Sequence, residues 1–461
     1  MRLERGITET RVLRAPSWFY EYLARHLSVP VEPGTTEDQF RFGMHWNHQA
    51  DDGTWQRYGS LVKHDVVPAG LTSHVIALAR HYGLRGQLHD IRVRPEEMLP
   101  LWSVQAKWRP YQDEVHKACT RRSTGVIDAP PRSGKTLMAA RIIDTHNLPT
   151  VYIAPSVQIV RQVFGVLREQ FGSDFVSRLD GSAKASDKDP EKQFVVTTPQ
   201  SAVNMSAEWW AGRKVLALDE FHHAAADTYH RISALAVNAY YRYCFTGTHF
   251  RTGDDGLAME AICSTVLKKI SVGYLVENGW LAPPRVFFRP VRGTSYGSGF
   301  KSIYDQGIVG HEERNDLVVR TSLELLERGV PTIVLVRRRN HADALGSRID
   351  DSVVVKGGEN ALTSRAVQEF NEGRHNCLIG TSVIGEGVDV PRAAALVYAC
   401  GGREGVMMMQ SYFRPLTANE GKDCGRIYDF VDHQNRLLRR HSSQRMAMVR
   451  DQLGSSVLHT E

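Results

Sequence analysis

The sequence predicts an α/β protein of two tandem parallel-sheet lobes behind a small α+β N-terminal accessory region. Three observations predict it. From about Arg121 to Tyr274, short apolar β-rich runs (GVIDAP, TVYIAP, QFVVTTP, KVLALDE, YRYCFTGT) alternate with helical stretches. Such alternation is the pattern of a parallel sheet flanked by helices. It resumes later with PTIVLVRR, SVVVKGG, NCLIGTS, AALVYAC and GRIYDFVD. Polar motifs follow the C-terminal ends of these runs, where open α/β sheets bind ligands. The expected division is 1–100 for the accessory domain, 101–284 for the first lobe and 285–461 for the second.

A chain of 461 residues is long enough for two or three domains, each with its own core. Its 42% hydrophobic and 23% charged residues are those of an ordinary globular protein, which argues against a disordered class. No apolar run reaches the roughly 18 residues that span a bilayer, and MRLERGITETRV lacks the apolar core of a signal peptide. Six cysteines are scattered without a CxxC pair, so neither a zinc knuckle nor a disulfide framework is expected. The expectation is a reduced, cytoplasmic protein without a membrane partner. The net charge of +6 is mild; it reads mostly as solvated surface and agrees with phosphate-backbone binding.

Along the chain, the first hundred residues place the turn-former DDG between aromatic-rich, strand-like pieces and then one helix. Trp46, Trp55 and Tyr58 there read as core aromatics before base-stacking ones, and His45 and His48 have no further ligand nearby. The Pro-rich LAPPRVFFRP, Leu281 to Pro290, breaks the alternation and reads as a linker. The tail from His433 reads as a helix with Leu437, Leu438, Met446 and Val449 on a partial apolar face. Its five arginines leave both a packing helix and a nucleic-acid contact open.

The chemistry begins with APPRSGKT, Ala129 to Thr136. Pro131, Arg132, Ser133 and Gly134 form a loop in which Gly134 lets backbone N–H groups point at phosphate oxygens. Lys135 supplies a cation to the β- and γ-phosphates of ATP, and the Thr136 hydroxyl can ligate Mg²⁺. A helix expected from near Leu137 aims its positive end at the same phosphates. In LDEFHH, Asp219 can hold the Mg²⁺ and Glu220 can deprotonate the attacking water; a surface acidic pair is the bland alternative. Upstream, in WRPYQDE, the Gln112 amide can read an adenine edge with Arg109 or Trp108 packed beside it. Alone, that segment could simply start a helix.

With FTGT at Phe245–Thr248, GTSVIGEGVDVP at Gly380–Pro391 and QSYFRPLT at Gln410–Thr417 in order, the chain resembles a superfamily 2 helicase of the DEAH/DExH type. The resemblance is to the branch with XPB and the phage UvsW-like helicases, and it covers about Trp108 to Asp432. More loosely, FRFG, DDGTW and PAGL are similar to the UvsW-like accessory domain. The resemblance implies two RecA-like lobes, ATP and Mg²⁺ as cofactors, and DNA (single-stranded or branched, with RNA less favoured) as partner. It implies 3′-to-5′ movement in recombination or repair; separately, a monomer is the expectation. It gives strand-tracking roles to Pro155, Arg161, Thr198, Gln200 and Thr381, and coupling roles to His222, Thr246 and Thr248. Gly387 and Asp389 join the ATP cleft, with Gln410 and Arg414 at the transferring phosphate.

The sequence also departs from that pattern. Phe413 stands where the family has glycine, and Thr417 where it has its last motif-six arginine. Either Arg414 suffices, or Arg403 or Arg426 substitutes, or hydrolysis is slow; an arginine finger is worth about 10³-fold or more. His249 replaces a usual proline. A duplex translocase serving restriction or defence and a weakly hydrolysing nucleic-acid clamp are the alternative readings.

Overall fold

The computed structural model describes residues 1–30, 45–49, 55–96, 107–220, 226–247, 254–356, 360–381, 389–403, 405–419 and 421–459. The chain divides into two compact units. One holds Met1–Pro130 and Gly134–Ile270; the other holds Ser271–Glu461 with Pro131–Ser133.

In the first unit, seven strands form an all-parallel sheet in the order Val176–Leu179, Phe194–Thr197, Thr150–Ile153, Val215–Asp219, Tyr241–Thr246, Thr124–Asp128, Val266–Lys269. All five predicted runs are strands. The central ones are buried along their length, which is why they read as continuous apolar runs. The two outer strands were not read from sequence. Val266–Lys269 is short, partly exposed and ends in two lysines, the usual protection of a sheet edge.

The accessory region packs against this sheet. Arg2–Arg5 pairs antiparallel with Glu9–Leu13 and parallel with Gln87–Asp90, and Val66–Pro68 completes four strands. A second sheet joins Ser28–Pro30, Trp55–Ser60 and His45–Gln49. There are two helices where one was expected: Thr72–His81, and Ser17–His26, whose N-cap is Pro16 with no side-chain cap to announce it. One hydrophobic core joins accessory region and sheet, running from Leu3, Phe19 and Val75 through Met259 and Ile262 to Val126 and Leu216. At its seam Gly70 lies so close to the Asp254–Cys263 helix that a Cβ would stand 1.9 Å from the Glu260 carbonyl oxygen.

The second unit repeats the architecture, in the order Ser352–Val355, Cys377–Gly380, Thr332–Leu335, Ala395–Tyr398, Gly425–Asp432, Pro284–Val291, Leu458–His459. All of its pairs are parallel. The Pro-rich segment is therefore not a linker. Pro284–Val291 is an eight-residue strand paired along its length with Gly425–Asp432. Its outer neighbour, Leu458–His459, covers only Val286 and Phe287, so prolines at the start and near the end are tolerated. The predicted tail helix is Arg436–Leu453, with Leu438 and Val449 buried. Its Arg445 bonds Asp429 at 2.7 Å, and Arg314 bonds Asp432 at 2.8 Å; all four side chains are at most 1% exposed. The six cysteines are free and buried.

Candidate active site

The Thr124–Asp128 strand runs directly into the phosphate loop, whose backbone is left-handed at Arg132 (φ 70°) and Gly134 (φ 81°). A Cβ at 134 would also stand 2.7 Å from the Gln112 amide nitrogen, so that side chain would have to shift. The following helix starts at Lys135, ahead of the expected Leu137, with Gly134 as its N-cap. Its first amides and its positive dipole end adjoin the loop, an arrangement suited to phosphate.

Lys135 lies 2.8 Å from a Glu220 carboxylate oxygen and donates to the Ala129 carbonyl at 3.3 Å. Glu220 is buried, with a left-handed backbone (φ 45°) that a residue other than glycine holds only under constraint. The constraint is visible. Its N–H donates to Phe245 O at 2.9 Å, and its second carboxylate oxygen accepts the Gly247 N–H at 3.2 Å. The Ala129 N–H donates to the Thr246 carbonyl at 2.8 Å. Ala129 and Lys135, which bracket the phosphate loop, thus meet Glu220 and the FTGT segment in one network of the first unit.

Asp219 ends the Val215–Asp219 strand, and its buried Oδ1 accepts no hydrogen bond. Burial, then the neighbouring Glu220 charge, push its carboxyl up to about 7, against the pull of Lys135. A buried carboxylate so placed is short of a cation. With the half-buried Thr136 hydroxyl, it offers the hard oxygen donors that Mg²⁺ takes one or two at a time. The residues present fit the metal.

The remaining predicted residues divide. Gln112 is buried and its amide oxygen accepts the Arg109 N–H at 3.1 Å, capping the Pro110–Thr120 helix while its amide group backs the phosphate loop. Arg109 donates to the Tyr111 hydroxyl at 3.2 Å, and Trp108 is covered by the Arg141 guanidinium at 4.4 Å. Pro155 and Thr198 follow strand ends on the same carboxyl edge of the sheet as Asp219 and Thr246. The Thr198 hydroxyl caps the Pro199–Ala202 helix by accepting the Ser201 N–H. Arg161 is exposed and donates to Ser182 Oγ at 2.9 Å; Gln200 is exposed. His222, Thr248 and Gly387 lie outside the described residues.

In the second unit, Thr381 is buried just after the Cys377–Gly380 strand and Asp389 is exposed. Gln410 is half-buried on the Gly405–Tyr412 helix, and Arg414 opens the buried turn Arg414–Leu416. Of the two substitute arginines, Arg426 begins a strand at the amino edge of the sheet, whereas Arg403 is exposed beyond the carboxyl end of Ala395–Tyr398. Sequence reasoning missed Lys422. Its ammonium donates to the carbonyls of Pro391, Ala393, Pro415 and Thr417 at 2.6–3.4 Å, tying the segment after Asp389 to the turn after Arg414. Burial holds it down at about 8. No local signal marks it, because its acceptors are backbone carbonyls and two of them, Pro391 and Ala393, lie about thirty residues away.

Comparison with known proteins agrees with this geometry. Residues 105–251 match the family described as type III restriction enzyme, res subunit, and residues 316–410 match the helicase conserved C-terminal domain. The DNA 3′-5′ translocase XPB2 of Sulfurisphaera tokodaii is 24% identical over 341 residues, 65% of this chain and 76% of its own. A Rad25-named protein of Haloarcula marismortui is 23% identical over 65% of this chain and 48% of its own, so the chain spans about half the length of that relative. The solved type ISP restriction-modification enzyme LlaBIII shares the fold over 75% of this chain and 30% of its own, at 15% identity and a TM-score of 0.58. Phosphate loop, acidic pair and two parallel sheets are the architecture of a P-loop nucleotide-binding protein with two RecA-like units. Together these matches support a superfamily 2 helicase similar to the XPB type.

Proposed function

We propose that this protein is an ATP-dependent DNA helicase or translocase that moves 3′ to 5′ and works on branched or annealed DNA. The observation that carries the reading is the Glu220 carboxylate, held between Lys135 and the Gly247 N–H. A base bonded on one side to the phosphate-sensing lysine and on the other to the FTGT segment suits hydrolysis coupled to strand movement.

Lys135 and the amides of 134–136 would hold the phosphates, and Thr136 and Asp219 the Mg²⁺, which when bound neutralises phosphate charge. Once Lys135 exchanges its carboxylate partner for phosphate, Glu220 is free to accept a proton from the attacking water. Arg414 and Gln410 are assigned to the transferring phosphate. Pro155, Arg161, Thr198, Gln200 and Thr381 are assigned to the strand, gripping phosphates with little sequence preference.

Steady-state ATPase with single-stranded, duplex and branched DNA, and with matched RNA, tests the reading. Strong stimulation by branched DNA that Arg414→Ala abolishes is the expected result. Tight DNA binding with negligible turnover under every condition would replace the motor by a clamp.

A further inference from the structure

A cavity of about 840 Å³ lies where the accessory region meets the first-unit sheet. Thr124, Tyr241 and Val266, which line it, are the first residues of three neighbouring strands. Two of these strands carry the phosphate loop and the FTGT segment at their far ends, so the cavity and the active site occupy opposite edges of one sheet.

Among the described residues, the lining holds five arginines, Arg5, Arg92, Arg94, Arg121 and Arg122, against one carboxylate, Asp90. That carboxylate is already engaged by Arg92, which donates to its two oxygens at 2.8 and 2.6 Å. Three arginines of the lining reach across the junction to hydroxyl groups, while His74 pairs with Glu260 elsewhere along it. Arg5 donates to Thr124 Oγ1 at 3.3 Å, Arg92 to Ser123 Oγ at 2.9 Å and Arg94 to the Tyr241 hydroxyl at 3.2 Å. The buried Nε of Arg5 has no acceptor. Burial, then the Arg92 charge beside it, hold Arg5 down at about 10. A junction built for stability alone would place carboxylates opposite these guanidinium groups. Arginine forks at fixed orientation, with Arg92 also lying 4.8 Å over the Tyr240 ring, match the oxygens of a phosphate. The volume falls within the range of small-ligand sites.

We propose that this cavity binds a phosphate-bearing anion, either a phosphodiester of a nucleic-acid strand or a free polyphosphate. The site stands apart from the ATPase reading, since its lining includes none of the phosphate-loop residues.

The test uses the full chain carrying Lys135→Ala, so that the phosphate loop does not report, with and without Arg121→Gln/Arg122→Gln. Both of those arginines are exposed, so their replacement does not endanger the fold. Arg439→Gln/Arg440→Gln, also exposed, is the charge-matched control. Inorganic pyrophosphate is titrated by calorimetry, and a fluorescein-labelled single-stranded oligonucleotide by anisotropy across a salt series. The cavity variant should weaken a probe about tenfold, and for the oligonucleotide should flatten the slope of log K against log salt by about 1.4. Loss for the oligonucleotide alone identifies a strand as the source; loss for pyrophosphate alone identifies a free polyphosphate. Unchanged binding of both probes, or an equal loss in the control variant, overturns the proposal. With Lys135 intact, the cavity variant should keep its basal ATPase, so a failure of the ATPase reading shows separately.

Discussion

At the scale of single residues, the catalytic assignments rest on a few short distances. Lys135→Ala should reduce ATP turnover to background, and unchanged turnover would remove the assigned phosphate loop. Glu220→Gln should leave nucleotide binding intact and slow hydrolysis by about 10²- to 10⁴-fold, as expected for loss of a general base; nucleotide titration beside a turnover assay checks both halves. A different residue contributes to the loss of stability in acid. His341 is fully buried, donates from Nε2 to Asn315 Oδ1 at 2.9 Å and has no partner at Nδ1. Burial, then the Arg314 charge, hold its pKa down to about 3 from 6.5. The unfolded chain therefore takes up a proton below about pH 6.5 that the folded chain refuses until about pH 3. Stability should fall across that window, by about 1.4 kcal/mol per pH unit at most. His341→Gln should flatten the dependence in denaturant unfolding measured from pH 7 to 4. Residues such as Lys135, Asp219 and Glu220 were legible because each motif is contiguous in sequence. The Arg5 cluster was not, because its partners arrive from far along the chain, and Lys422 was not, because its partners are backbone carbonyls, two of them about thirty residues away.

Among elements, the ten strands read from periodicity all formed, and the failures have specific causes. Pro284–Val291 was misread because two prolines normally argue against a strand, a rule relaxed where the outer neighbour is two residues long. Ser17–His26 lacked a capping side chain, and the lysine-bearing edge strand Val266–Lys269 had too little apolar pattern to be seen. The arginine-rich tail helix, left open between packing and nucleic acid, commits Arg445 to the core through Asp429. Arg445→Met should cost about 3–5 kcal/mol, because it leaves a buried carboxylate unpaired. Replacing both partners by apolar residues should recover much of that loss in urea unfolding.

For the whole molecule, the shared core matters most. The accessory region was expected as a separate domain of the first hundred residues, yet its apolar residues belong to the same cluster as the first-unit sheet. Hydrophobic pattern marks which residues are buried, not which neighbour buries them, so the joint was invisible in sequence. Gly70→Val should force the joint apart, because the new side chain meets the backbone of Glu260 and Ala261. Limited proteolysis should then release the accessory region, and Tm should fall by several degrees. A variant that melts and digests like the parent would show that the seam can adjust. The joint has a mechanical meaning as well. Arg5 and Arg92 grip the start of the strand segment whose other end becomes the phosphate loop, five residues on from Thr124. That is a span of about 17 Å, clamped on both flanks by parallel neighbours. A strand so braced behaves as a stiff rod. A load borne by the accessory region would arrive at the nucleotide with little slack, and the two ends of the rod would have to move together.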